Sequence, residues 1–298
     1  MEIRVLQYFL AIAREESISR AAESLHVTQP TLSRQIAQLE EEIGAKLFER
    51  GAKRIALTRE GMLLRRRAQE ILALVDKTSE ELSQQNQQLE GRIAIGCGEI
   101  ASVEQLTELM NRFHAVHPLV HFDLFTANAD QVRERMDRGL LDIGLLLEPV
   151  NIERYAFVRL DVRERWCALM PPNHPLAAKN SVTREDLAAL PLILPRRQGV
   201  QAELASWFGP QFERLNVVCT SNFTSNAAAL VRHGLGCALV IEVPAPLWNA
   251  ETIACRPLAP ELTATSVLAW KREQPFSPAV TEFIAYTRAR LSGAAQSQ

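Results

Sequence analysis

No uninterrupted apolar run in the 298 residues approaches the roughly 18 to 20 that a membrane-spanning helix needs, so no membrane partner is expected. The start, Met1-Glu2-Ile3-Arg4-Val5, lacks the basic stretch and apolar core of an export signal, and a cytoplasmic protein is expected. Cysteine is scarce. Cys97, Cys167, Cys219, Cys237 and Cys255 are odd in number, far apart and without a Cys-x-x-Cys pair, which argues against a disulfide framework or a zinc site. They read as buried thiols that pack as small hydrophobes. His114, His117 and His121 lie close together, but no cysteine or carboxylate completes a ligand spacing, so surface or helix-end histidines are expected and no metal. Gly96-Cys97-Gly98 lacks the third glycine of a dinucleotide fingerprint, and Gly234-Leu235-Gly236 follows a helical rather than a strand pattern; no cofactor is expected. No nucleophile elbow, phosphate loop or pair of catalytic carboxylates is found, so nothing points to an enzyme. An excess of one charge is missing too: 33 Lys and Arg stand against 35 Asp and Glu, and any attraction to a polyanion must be local.

What is present divides by pattern into three. Residues 1–58 carry short helical periodicities and a basic turn, 59–90 one long helical pattern, and 91–298 alternating strand-like and helix-like runs. In the first segment Leu6, Phe9, Leu10 and Ala13 mark an amphipathic helix, and Ile18, Ala22 and Leu25 share one face of a second. After the connection His26-Val27, Thr28 offers a hydroxyl cap, Pro30 is tolerated in the first turn, and a helix from Gln29 to Ile43 stops at Gly44. Its apolar stripe is Leu32, Ile36, Leu39 and Ile43. Two short helices crossing closely at Ala22 predict a helix-turn-helix.

At about 100° per residue the stripe turns Pro30, Arg34 and Gln38 outward, with Thr31 and Gln35 beside them. Arg is suited to a guanine edge, Gln to adenine, and the carbons of Pro30 and Thr31 to a thymine methyl. The helix amino end favours a phosphate. Beyond it, Lys46 to Thr58 reads as a hairpin with a basic, glycine-containing tip. From Lys46 to Arg67 eight basic residues face two acidic ones, a local surplus of six in a chain of net charge -2. Such residues supply phosphate contacts and orientation, while the helix supplies sequence preference.

The residues Ala21-Ala22, Leu25, Thr28-Gln29-Pro30-Thr31-Leu32-Ser33-Arg34-Gln35-Ile36, Leu39-Glu40, Gly44, Leu47-Phe48-Glu49-Arg50, Leu57-Thr58 and Gly61 together resemble the amino-terminal signature of LysR-type transcriptional regulators. The resemblance implies an α/β chain with an N-terminal winged helix-turn-helix, a linker helix, and a two-lobed effector domain like that of periplasmic binding proteins. It implies that Gln29, Pro30, Thr31, Ser33 and Arg34 face promoter DNA, with Arg50, Lys53 and Arg54 near its backbone or minor groove. It also implies dimers paired into tetramers, a small-molecule effector, and RNA polymerase as a further partner.

In the linker, Leu64, Ala68, Ile71, Val75, Thr78, Leu82, Gln85 and Leu89 alternate spacings of four and three, a heptad seam that predicts pairing with a second copy. Thr58 is a candidate cap for its start and Gly91 a hinge at its end; the alternative is a long helix packed on its own effector domain. A two-fold dimer predicts a palindromic site with half-sites about 34 Å apart.

From Arg92 onward, near-continuous apolar strands alternate with amphipathic helices, predicting parallel sheets in two lobes. Lobe I takes 91–161 and 267–292, lobe II 162–266. The runs Arg159 to Cys167 and Thr263 to Trp270 are the expected crossings, with Trp166 and Trp270 packed near them. Motifs such as Gly139-Leu140-Leu141-Asp142-Ile143-Gly144 and Asn173-His174-Pro175-Leu176 extend the family resemblance along the chain. Ligands of doubly wound sheets sit at the carboxyl ends of strands, which places Gly98, Glu99, Ile100, Ser102, Thr126, Asn128, Arg196, Arg197, Ser221 and Thr224 in a cleft. Helix ends and hydroxyls suit an anionic effector. Where many family members have Thr or Ser, this chain has Ile100 preceded by Glu99; Ser102 and Arg196 are candidates to compensate, and an amine is the alternative partner for Glu99. Outside this reading stand a thiol redox sensor of the same fold and a solute-binding receptor.

Overall fold

The computed structural model describes residues 1–50, 55–83, 89–243 and 251–294. The chain divides into two compact units, Met1–Ser83 and Gln84–Gln298. Among the described residues no helix is long and apolar enough to cross a membrane.

The first unit contains α1 (Ile3–Glu15), α2 (Ile18–Ser24), α3 (Gln29–Ile43), the antiparallel pair β1 (Phe48–Arg50) and β2 (Ile55–Leu57), and α4 (Arg59–Ser83). Local chemistry sets the breaks. The left-handed Glu16 ends α1, Ser17 caps α2 by accepting from the Arg20 N–H, and Gly44, at φ 73°, ends α3. The core joins Leu6, Phe9 and Ile12 of α1 to Ala21 and Ala22 of α2, to Leu32, Ile36 and Leu39 of α3, and to Leu47. Leu10 and Ala13 flank this stripe rather than centre it, and Ile43, expected inside, is 41% exposed because α3 has already passed the core.

Part of the seam expected of the linker is taken up within the chain. Ala68 is buried in the helix-turn-helix core of its own chain, and Leu64 and Ile71, partly buried, pack against it. Among the described side chains of α4, Met62, Leu63 and Leu74 are the large apolar ones left exposed. The helix is described to Ser83; Gln85 lies outside the described residues, and Leu89 packs on the core of the second unit. Thr58 does start α4: its Oγ1 accepts from the Gly61 N–H at 2.9 Å while its hydroxyl donates to the Lys46 carbonyl at 2.7 Å. This crossing is so close that a Cβ on Gly61 would stand 2.1 Å from the Leu47 carbonyl oxygen.

The second unit holds two sheets. The first has five strands: β3 (Gly91–Cys97), β4 (Val120–Thr126), β5 (Ile143–Leu147), β6 (Tyr155–Arg159) and β14 (Ser266–Lys271), in the order β4-β3-β5-β14-β6. The second contains β7 (Glu164–Met170), β8 (Val182–Thr183), β9 (Pro191–Pro195), β10 (Asn216–Ser221), β11 (Cys237–Ile241) and β12 (Ala254–Ala259), in the order β10-β9-β11-β7-β12-β8, with β13 (Thr263–Ala264) also on β7. Among the described residues six α-helices accompany them: α5 (Val103–Val116), α6 (Ala129–Asp137), α7 (Arg184–Ala188), α8 (Gln198–Phe208), α9 (Thr224–Arg232) and α10 (Pro278–Ala294).

The expectation of parallel sheets needs correction, since both are mixed. β3, β4 and β5 run parallel, but β14 is antiparallel to β5 and β6; in the other sheet β7 opposes β11 and β12. The antiparallel members are the strands that carry the chain between lobes and back, after β6 and after β13. Gly91, expected as a hinge, begins β3 with a φ of 129°. Asp142 is buried and accepts from the Ala94 N–H at 2.8 Å, which ties the motif around it to β3. Phe113, Phe122 and Phe283 meet edge to face at 5.0 to 6.3 Å and fix α5 and α10 on the first sheet.

Candidate functional site

Two sites stand apart, one in each unit. In the first, α3 buries Leu32, Ile36 and Leu39 and leaves Gln29, Pro30, Thr31, Arg34 and Gln38 exposed, with Ser33 half-buried between the faces. Thr28 acts as the cap: its Oγ1 accepts from the Thr31 N–H at 3.4 Å and lies 2.8 Å from the Thr31 hydroxyl. Five polar or compact side chains therefore stand on one convex flank, backed by a rigid core, which suits insertion into a groove.

A residue that spacing did not single out positions the hairpin against this helix. Glu40 Oε1 accepts from the N–H groups of Leu47 and Phe48 at 2.9 and 3.3 Å, and Oε2 accepts from Lys46 at 2.6 Å. Burial disfavours the ionised carboxyl, but Lys46 and the two backbone donors outweigh it and hold its pKa below the ordinary value. Lys46 is thereby committed, as is Arg67, which pairs with Glu70 at 2.8 Å; the cationic surface is narrower than the sequence count suggests. Arg59, Arg65 and Arg66 are exposed on α4. Lys53 and Arg54 lie outside the described residues, and Arg50 ends β1.

The second site is a cleft in the second unit, with about 110 Å³ of open space. Gly98, Glu99 and Ile100 reach it from the loop after β3, Asn128 from the loop after β4, Arg196 and Arg197 from the end of β9, and Ser221 and Thr224 from the end of β10. Two expected members are not in its lining. Ser102 is fully buried behind it, where its N–H and hydroxyl both donate to Glu164 and its hydroxyl pairs with that of Ser266. Thr126 is exposed at the end of β4, in contact with the Cys97 thiol. Conversely Trp166, expected only to pack near the crossing, lines the cleft, and its buried Nε1–H has no hydrogen-bond partner.

Several polar lining groups are already engaged. Asn128 caps α6 by accepting from the Gln131 N–H at 3.0 Å, and the Ser221 hydroxyl donates to the Phe223 carbonyl at 2.9 Å. Arg197, with a side chain only 9% exposed, reaches from one lobe to the other and donates to the Leu147 carbonyl at 3.0 Å, to the Pro149 carbonyl, and to Asp130 at 3.2 Å. Glu99 crosses in the opposite sense to Ser225, whose N–H and hydroxyl donate to its two oxygens at 2.8 and 2.7 Å. An amine partner for Glu99 is not needed to explain it. Arg196 is exposed at the rim. Ser225, Trp166 and Glu164 escaped the sequence reading. One signal for Ser225 was available: Phe223, at the cap position of α9, has no side chain able to cap it.

The five cysteines are free thiols. Cys167 lies beside Cys255, whose side-chain hydrogen bond, together with burial, pushes the Cys167 thiol well up; burial likewise raises Cys97 and Cys237. His114 Nδ1 lies 3.0 Å from the Val120 carbonyl, and His117 packs on Phe113 at 4.6 Å.

Comparison with known proteins places each unit in a family. Residues 3–62 match the family described as bacterial regulatory helix-turn-helix protein, lysR family, and residues 86–292 match the LysR substrate binding domain. The chain is 31% identical over 301 residues to the Hca operon transcriptional activator HcaR of Escherichia coli (strain K12), covering 98% of this chain and 99% of that one. To the HTH-type transcriptional regulator AlsR of Bacillus subtilis (strain 168) it is 28% identical, covering 95% and 94%. Its fold is similar to that of CbnR, a LysR family transcriptional regulator, at a TM-score of 0.75 with 22% identity, covering 98% and 99%; a structure of CbnR with its target DNA gives 0.73, with 22% identity, covering 97% and 99%. With a regulatory helix-turn-helix at one end and a substrate-binding domain over most of the remainder, the chain belongs to the LysR family of transcriptional regulators.

Proposed function

We propose that this regulator reads promoter DNA with the exposed flank of α3, that it works as a homo-oligomer, and that a small molecule in the cleft between its lobes alters how the bound arms act on transcription. The observation that carries the proposal is the division of α3: Leu32, Ile36 and Leu39 are in the core, while Gln29, Pro30, Thr31, Arg34 and Gln38 stand free of it. Arg34 and Gln38 read base edges, Pro30 and Thr31 touch methyl groups, Thr28 and Ser33 lie at the helix end and flank, and Arg50, Lys53 and Arg54 meet the sugar-phosphate backbone. The three-part division at residues 58 and 90 follows from the same reading, with lobe I formed by 91–161 and 267–292 and lobe II by 162–266. It is a non-catalytic protein of the cytoplasm, where the chromosome is.

Pairing of two copies uses α4, and with Ala68 buried in the core and Leu64 and Ile71 packed against it, the exposed Met62, Leu63 and Leu74 are apolar contacts open to it. The solved complex of CbnR with its target DNA supports the DNA role by similarity. An effector shifts such a switch only through different affinities for its two states. Gly98, Ile100, Asn128, Arg196, Ser221 and Thr224 are the lining we assign to it, and contact with RNA polymerase completes the list of partners. Against a thiol sensor of the same fold stand Cys97, Cys167 and Cys237, whose thiols are pushed up rather than down.

The test is selection of genomic fragments by the purified full chain at moderate salt. Enrichment of fragments sharing a palindrome with half-sites about 34 Å apart is expected. Absence of preference for any duplex overturns the proposal.

A further inference from the structure

The amino end of α9 raises a question of hydrogen bonding. A helix leaves its first four N–H groups without intrahelical partners, and an acceptor at the cap position ordinarily serves them. Here that position is Phe223, which makes no side-chain cap. The acceptor comes instead from the other lobe, 126 residues away in sequence: Glu99 Oε2 takes the Ser225 N–H at 2.8 Å and Oε1 takes the Ser225 hydroxyl at 2.7 Å. A carboxylate at this end is also favoured by the helix dipole. Both of its oxygens are in use, on one residue, with the geometry a bound acid would adopt.

We propose that Glu99 is a specificity-determining residue: it occupies from within the chain the anion position at the start of α9, clamps the two lobes there, and bars effector carboxylates from that end of the cleft. The proposal rests on reading the cleft as the effector site. Two further features support it. The reciprocal cation, Arg197, is likewise engaged across the lobes, so neither inner charge of the cleft is left for a ligand of opposite sign. The rest of the lining is largely apolar, from Ile100, Leu145, Ile193, Val200 and Leu239, with uncharged polar side chains such as Thr224 and Asn222 among it. That arrangement favours an uncharged, largely apolar molecule. Arg196, the cation left at the rim, is exposed, and an anion beside it stays in solvent.

The experiment uses the full chain as wild type, Glu99→Ala and Glu99→Gln, with benzoate and benzamide as a charged and a neutral probe of one shape. Loss of a hydrogen bond to an ionised group predicts amide exchange at Ser225 at least about tenfold faster in Glu99→Ala, with Glu99→Gln between the two because it keeps one acceptor. Titration calorimetry should show benzoate binding gained by about tenfold in Glu99→Ala over wild type, with benzamide changed by less than about twofold. Equal Ser225 exchange in wild type and Glu99→Ala overturns the clamp, and equal benzoate affinity overturns the exclusion. If Glu99→Ala does not fold, Glu99→Gln carries the same comparisons, since it removes the charge and keeps the shape. Fragment binding by the wild-type chain without probes is measured alongside. Its failure would count against the regulator reading while leaving the exchange result to decide the clamp.

Discussion

In α3 the side chains offered to a partner come from ten positions, Gln29 to Gln38, and stand on one flank of a helix whose other side is core. In the cleft they come from the ends of β3, β4, β9 and β10, and Glu99 and Arg197, which face each other's lobe, are bonded to protein groups. The first arrangement follows from helical period alone. The second depends on partners 48 to 126 positions away, so that a residue's type fixes its chemistry without fixing whether that chemistry is free.

This contrast is sharpened most by Glu164. It is fully buried and accepts from the Ala101 N–H at 2.8 Å and the Ser102 N–H at 3.1 Å, holding the start of α5 against the interlobe crossing. Glu164→Ala leaves those donors unpaired and opens a cavity, and a loss of about 3 kcal/mol or more is expected in urea unfolding. A loss under about 0.5 kcal/mol, the scale of surface substitutions, would break the claim that distant contacts build the effector unit. Next in size is Gly61→Ala. The new Cβ would meet the Leu47 carbonyl oxygen, and overpacking of this kind costs about 1–3 kcal/mol in thermal unfolding.

The smallest effect concerns Glu40. Its folded pKa lies below the ordinary 4.5, so its contribution is present above that value and is lost as pH falls through the folded one. Glu40→Gln should therefore be less stable than wild type at about pH 7 and should converge on it as pH falls through the lowered folded pKa of Glu40. A gap that is constant with pH contradicts the ionised latch between α3 and β1.

Legibility followed the same division. The helices of the first unit, the Thr28 cap and the Gly44 stop could be read because each rests on residues within a few positions. The same local pattern misplaced Ile43 and did not foresee that Ala68 is buried in its own chain, because periodicity shows that a face is buried and not what buries it. In the second unit the strands were legible from apolar runs, as with Cys237–Ile241, whereas their direction was not, since a run reads alike both ways. Ser102 was placed in the cleft for its hydroxyl, which Glu164 takes from a strand 62 residues on. Trp166 was read as packing alone because its unpartnered indole N–H emerges only once the two lobes are assembled.

Base reading by α3 is tested most directly by Arg34→Ala. The affinity of the full chain for an enriched fragment and for random duplex should be measured at one salt concentration. A fall of about 1–3 kcal/mol in specific binding, with random binding little changed, is the expected result. An unchanged ratio between the two affinities would contradict it.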